Sequence, residues 1–295
     1  FQAEVKLKYV VHAQLVQLLV TSVTKIILVV QELPLIWFAS AFCLDAIILA
    51  VGLIYTYSYK RERIFFWQWD SKYAKALLLE SWPLMFSYMS YLIYAKIDRV
   101  MIKEMMDEYS VGIYSAAYVL YEAPLFISLM IAKSIYPLLV QYYHDNKNKF
   151  FQLYSTLSSY MTLLSYLIIL FIFIFHEILI QITFGESFEE SSKILMLLSF
   201  GMIPMFNAFL RSSYITITGN QKIILYTTLF SAMLNIVLNL LLIKAYGVIG
   251  AVYATVFTQT LSLIVLNFAF TNTRSISFIQ AKSLLLFGIW RKFNV

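Results

Sequence analysis

Eight runs of about 20 predominantly apolar residues, joined by short polar links, constrain this chain more than any other feature. As a helix, a run of that length covers the hydrocarbon core of a bilayer, and in lipid only helices and closed barrels satisfy their own backbone groups. Barrel strands alternate over about ten residues, whereas these runs are continuous and twice as long. They fall near residues 9–30, 33–57, 76–101, 111–135, 153–181, 192–217, 223–243 and 247–270. The expected fold is an all-α, polytopic transmembrane helix bundle. Composition agrees, since 61% of the 295 residues are apolar and 13% charged, against about 25% charged in a soluble domain. That balance argues against a water-soluble enzyme.

The net charge of +6 and a pI near 9.1 would ordinarily raise the question of nucleic acid. The cations sit instead in short links between apolar runs, where they set membrane orientation, and no nucleic-acid partner is expected. With the N-terminus on the cytoplasmic side, fourteen Lys and Arg fall in inner segments and three in outer loops. Both ends of this chain are therefore expected in the cytoplasm. The outer loops are acidic, with Glu104, Asp107 and Glu108 in one and Glu186, Glu189 and Glu190 in another.

One link stands apart. Residues 58–75 are long, basic and aromatic, with Lys60, Arg61, Arg63, Trp67 and Trp69, and resemble a joint between two bundles. Two spans precede it and six follow. The expected division is 1–57 as the last two helices of an N-terminal lobe, 58–75 as a cytoplasmic inter-lobe linker, 76–270 as a six-helix C-terminal lobe and 271–295 as a basic tail. That tail reads either as an interfacial amphipathic helix or as a frayed end. The chain begins at Phe1 without a signal-peptide pattern, so four further helices are expected to precede it.

Motifs of soluble catalysis are missing: no Gly-rich nucleotide loop, no Walker lysine, no zinc-protease or nucleophile-elbow pattern. His12, His144 and His176 fall in different segments, and with the single Cys43 they form no metal-ligand spacing. No catalytic residue, cofactor or metal site is expected.

Ionisable groups within the spans are the candidate functional residues, because a charge at the bilayer centre costs at least about 2.5–3.5 kcal/mol and should face protein or water. Asp45 lies near the middle of the second span, among Leu44, Ala46 and Ile47, and must find a partner or stay protonated. It reads as a cation- or proton-coupling acid, or as the structural partner of a lysine such as Lys25. Lys25 itself either snorkels or lines a cavity. Glu122 precedes Pro124 halfway along the fourth span. A proline kink frees carbonyls beside the acid, so the pair reads as a transport site or as a packing kink.

Near the outer end of the third span, Tyr91, Tyr94 and Asp98 share one helix face while Lys96 and Arg99 lie on another. The group reads as an interfacial anchor or as an anion-binding rim. Asn207, Arg211, Tyr214 and Thr218 form a polar stripe on the sixth span, below a break at Gly201 and Pro204, and suggest a water-filled cavity. The seventh repeats the pattern with Thr228, Ser231, Asn235 and Asn239, which suits interhelical hydrogen bonding as well as substrate contact. Glu80 and Lys133 lie near inner span ends, where solvation and snorkelling account for them. Gly247, Gly250, Ala251 and Ala254 read as a close-packing stripe.

Four stretches in this order, Lys96-Ile-Asp-Arg-Val-Met-Ile102, Val111-Gly-Ile-Tyr-Ser-Ala-Ala117, Thr218-Gly-Asn-Gln-Lys222 and Tyr246-Gly-Val-Ile-Gly-Ala-Val-Tyr-Ala-Thr255, give the chain a family likeness. It resembles the polysaccharide and O-antigen flippases of the multidrug/oligosaccharidyl-lipid/polysaccharide exporter superfamily, best over residues 76–270. The resemblance implies a twelve-helix protein of two six-helix lobes around a central cavity, eight helices being present here. It also implies translocation of a lipid diphosphate-linked oligosaccharide across the bacterial cytoplasmic membrane, coupled to H+ or Na+, with membrane lipids and other polysaccharide assembly proteins as partners. On that footing Lys25, Lys96, Arg99 and Arg211, with Asn207, Tyr214, Asn235 and Asn239, are the substrate-cavity candidates. Asp45, Asp98 and Glu122 are the ion-coupling candidates. A multidrug or cation antiporter of the same superfamily is the nearest alternative. A membrane polymerase or ligase of lipid-linked sugars is disfavoured by the short outer loops.

Overall fold

The computed structural model describes residues 7–60 and 70–286, and every regular element among them is helical. The chain divides into two compact units, Phe1–Leu77 and Leu78–Val295. Residues 61–69 of the basic linker and the tail beyond residue 286, with Trp290, Arg291 and Lys292, lie outside the described residues, as do the side chains of Glu80 and Tyr94.

The first unit is a hairpin of α1 (Leu7–Val30) and α2 (Leu35–Lys60). Pro34 cannot continue a helix, and the turn before it closes with the Leu33 amide donating to the Leu28 carbonyl at 3.1 Å. The helices run antiparallel, because Ala13 near one end of the pair meets Gly52, while Lys25 reaches the Phe42 ring. Few side chains are buried between them; Leu18, Ile26, Trp37, Phe42 and Ile47 are exposed, as suits contact with lipid.

The boundary between the units falls within α3 (Ser71–Met105), whose start is capped by Asp70 Oδ1 accepting the Lys72 and Tyr73 amides at 2.8 and 3.2 Å. The second unit continues with α4 (Glu108–Glu122) and α5 (Leu125–Asp145), interrupted at Ala123–Pro124 as the proline requires. Asp107 caps α4 by accepting the Ser110 amide at 2.7 Å, which holds its carboxyl below the usual range. Then come α6 (Lys147–Phe184), α7 (Ser191–Ser199) and α8 (Met202–Ile217), the last two bent by 48° at Gly201. A side chain at Gly201 would collide with Gln259 Oε1 and Tyr121 Oη, so the bend carries a glycine. The unit ends with α9 (Gln221–Tyr246), α10 (Val248–Thr260) and α11 (Arg274–Ser283). Between α10 and α11 the backbone passes through a π turn at Leu261–Val265 and a 3-10 turn at Leu266–Phe268.

Among the described residues, six helical segments are long and apolar enough to cross a membrane: His12–Val30, Ile36–Tyr55, Glu108–Asp145, Lys147–Phe184, Gln221–Tyr246 and Val248–Phe268. The bent α7–α8 pair makes a seventh. The remaining expected span, 76–101, lies in the 35-residue α3, which is long enough but less apolar than these segments. Its Ser, Tyr and Trp residues between 81 and 91 lower its hydropathy.

Two apolar cores sit within the second unit. One joins α3, α4, α6, α7, α8 and α10 around Ile102, Leu195, Leu198, Met202 and Val252. The other joins α5, α6, α8, α9 and α11 around Leu139, Phe150, Leu210, Ile223 and Ile276. Gly250 fits against the Leu242 carbonyl of α9, where a side chain would overlap the backbone, and Ala251 and Ala254 beside it are buried. Gly247, with φ +59°, makes the one-residue reversal between α9 and α10 in a region that favours glycine.

Candidate functional site

Asp98 of α3 is only 2% exposed, and four helices meet at it. Tyr114 Oη of α4 donates to its Oδ2 at 2.8 Å and Thr255 Oγ1 of α10 to the same oxygen at 2.6 Å. Asn239 Nδ2 of α9 donates to Oδ1 at 2.6 Å and also to Asn235 Oδ1 at 3.0 Å. All these partners are neutral. Among the described residues no cation pairs with Asp98; neighbouring Arg99 lies 4.7 Å over the Tyr118 ring instead. Among the described residues, Asn235 Nδ2 and Asn239 Oδ1 are buried at this centre without hydrogen-bond partners of normal geometry. A buried carboxylate that accepts from two hydroxyls and an amide N–H, with the Asn239 amide oxygen beside it unpartnered among the described residues, has the chemistry to hold a proton or a small hard cation.

The polar face of α9 continues from there. Thr227, Ser231, Asn235 and Asn239 recur every four residues and are all buried, so the stripe runs about 18 Å along one side of the helix. Ser231 Oγ donates to Ser262 Oγ at 2.6 Å, and Thr227 Oγ1 accepts from Arg211 Nη2 at 3.1 Å. Arg211 is 4% exposed, and its Nε donates to Asn267 Oδ1. It forms part of the wall of a cavity of about 380 Å³ together with Tyr88, Tyr91, Thr228, Gln259 and Ser262. Gln259 Oε1 accepts from Tyr121 Oη at 2.9 Å, tying that wall to α4. A larger depression of about 560 Å³ beside Tyr109, Glu190 and Tyr246 holds none of the candidate residues.

The other sequence-derived candidates are dispersed. Asn207 faces α6, accepting from Ser158 Oγ at 2.7 Å and donating to Thr162 Oγ1 at 3.0 Å. Tyr214 Oη donates to the Asn272 carbonyl at 3.1 Å. The stripe on α8 is thus a buried face, of which Arg211 reaches the cavity. Lys96 and Glu122 are exposed. In the first unit, Lys25 Nζ lies 5.0 Å over the Phe42 ring; Asp45 is half-buried, with no ion pair between the two among the described residues. Residues that sequence reasoning passed over are Tyr114, Thr227, Thr255, Gln259 and Asn267. Spacing carried a signal for some of them, since Thr255 and Gln259 are four apart and Tyr114, Tyr118 and Tyr121 share a face of α4.

An all-α bundle with several lipid-length apolar helices, a buried carboxylate and a cavity walled by polar side chains is a multi-pass membrane protein. The chain belongs to the MatE family, which matches residues 83–241. The family described as polysaccharide biosynthesis protein matches residues 1–143, and together the two matches bear out the resemblance to polysaccharide flippases of the exporter superfamily. Over 195 residues the chain is 26% identical to the capsular polysaccharide biosynthesis protein CapF of Staphylococcus aureus, covering 64% of this chain and 48% of that protein. It is 26% identical over 189 residues to an uncharacterized membrane protein of Methanocaldococcus jannaschii, covering 64% and 44%. The probable low-salt glycan biosynthesis flippase Agl15 of Haloferax volcanii is 26% identical over 165 residues, covering 55% and 34%. The chain thus spans about half or less of the curated relatives it matches. No solved structure matches it.

Proposed function

We propose that this chain serves a flippase that carries a lipid diphosphate-linked oligosaccharide repeat unit from the inner to the outer leaflet of the bacterial cytoplasmic membrane, for O-antigen, capsule or exopolysaccharide assembly. It works by ion-coupled alternating access and is a transporter, not an enzyme. The observation that carries the reading is Arg211, a buried guanidinium on a cavity wall whose hydrogen-bond partners are all neutral, so that its charge is available to a diphosphate. Of the three candidate acids, Asp98 is the one we assign to coupling, because it alone is buried, among neutral polar side chains, and H+ or Na+ is its ion. The basic inner segments support an orientation with both ends of the chain in the cytoplasm, where other polysaccharide assembly proteins would meet it.

The test is translocation of a lipid-linked oligosaccharide in proteoliposomes bearing the natural, full-length protein. Arg211→Ala should lower the rate without loss of membrane insertion, and Asp98→Asn should remove its dependence on the ion gradient. Unchanged transport in Arg211→Ala would reject the assignment. A second reading, antiport of free amphiphiles, is favoured by the aromatic and apolar part of the wall, Tyr88, Tyr91, Met205 and Phe209. Export of a cationic dye with no change in surface polysaccharide would establish it instead.

A further inference from the structure

We infer that Asn267 is a positioning residue that presents Arg211 to the cavity end-on, and that its neutrality is what keeps the arginine available to an oxyanion. This rests on the cationic-cavity reading above and goes beyond it to a residue and a geometry.

A guanidinium offers its five N–H groups along two forks, the Nε–Nη2 side and the Nη1–Nη2 end. In this protein the side fork is occupied: Nε donates to Asn267 Oδ1 and Nη2 to Thr227 Oγ1. Neither acceptor can turn away. The Thr227 hydroxyl donates to the Ile223 carbonyl at 2.8 Å, which leaves its lone pair for the arginine. Both amide hydrogens of Asn267 are committed as well, to the Leu263 carbonyl at 2.7 Å and to Gln280 Oε1 at 3.2 Å. A flipped amide would set N–H against N–H, so this network fixes Oδ1 toward the guanidinium. Asn267 is fully buried, directly after the π turn that breaks α10, and Thr273 Oγ1 holds its carbonyl at 2.7 Å. The backbone break thus aims this side chain at α8.

What remains of Arg211 is the Nη1 end. It makes no hydrogen bond among the described residues, is not among the sealed unpartnered atoms, and belongs to a residue on the cavity wall. An end-on pair of N–H groups matches two oxygens of a tetrahedral oxyanion. A carboxylate at position 267 would form a salt bridge to the same nitrogen, at the cost of the donors to Leu263 and Gln280, and the arginine's charge would then be spent inside the protein. Asparagine supplies the geometry without the neutralisation.

The experiment titrates the protein in nanodiscs with inorganic diphosphate and, separately, with farnesyl diphosphate. Asn267→Asp should weaken both by about tenfold or more, the scale of a close competing charge pair, while a cooperative thermal transition, lowered by the lost donors to Leu263 and Gln280, is retained. Arg211→Lys, which keeps the charge but not the fork, should also lose affinity. Tighter binding of farnesyl diphosphate than of diphosphate supports the lipid-borne oxyanion as the ligand, and equal binding supports the free anion. Parent-like affinity in a folded Asn267→Asp overturns the inference alone. Should that variant not fold, parent-like affinity in Arg211→Lys overturns the end-on geometry. Failure of the parent protein to bind either diphosphate overturns the inference together with the cationic-cavity reading.

Discussion

The two units treat polar side chains in opposite ways. In the hairpin of α1 and α2, Lys25 and Asp45 are partly exposed, and Lys25 rests on an aromatic ring. In the second unit, buried Asp98, Asn207, Arg211, Asn239, Asn267 and Gln280 each take part in side-chain hydrogen bonds between different elements. Lipid offers no hydrogen bonds, so a polar group there must find its partner within the protein. The second unit has enough helices to surround such groups, and the hairpin taken alone does not.

The largest test of that contrast is Asp98→Leu. It leaves Tyr114, Thr255 and Asn239 without their acceptor, at about 1–3 kcal/mol for each buried donor. Thermal unfolding of the purified protein should show a loss of several such increments; a change no larger than that of a surface variant would break the comparison. Gly250→Ala comes next, at about 1–3 kcal/mol for overpacking against the Leu242 carbonyl, and the same melting experiment reads it. Asn207→Leu removes two interhelical hydrogen bonds at about 0.6–2 kcal/mol each. In the hairpin, Lys25→Ala and Asp45→Ala should each shift stability by less than about 1 kcal/mol. A loss from Asp45→Ala as large as that from Asp98→Leu would mean that the acid is enclosed in the folded protein as Asp98 is.

The smallest effect belongs to Asp107, exposed at the start of α4. Its carboxyl is held below the usual range by the Ser110 amide, so its contribution is complete above the ordinary carboxylate pKa and fades as pH falls through the lowered one. Hydrogen exchange at the first turn of α4 should therefore quicken on acidification in the parent protein and be pH-insensitive, beyond intrinsic exchange, in Asp107→Ala.

Much of the candidate site was visible as spacing. The four-residue recurrence of Ser231, Asn235 and Asn239 marked a polar face on α9, and Pro124 and Gly201 marked the places where the helices are interrupted, with a 48° bend at the second. Asp98 was legible as an acid near a span end, grouped with its sequence neighbours Tyr91 and Tyr94. Its actual partners, Thr255 and Asn239, lie 157 and 141 residues away along the chain. Asn267 gave no signal, because its role depends on a π turn and on Gln280 of α11.

By itself, the sequence determined the helical state of the chain, the approximate reach of its spans and the basic character of several of its links. Those follow from run length, 3.6-residue periodicity and local charge, which are properties of contiguous residues. Only the tertiary structure decided which ionisable groups are enclosed. Asp98 and Arg211 are buried while Lys96 and Glu122 are exposed, although all four lie in or beside apolar helices. Burial depends on which other helix covers a given face, and that is set by packing between segments far apart in the chain.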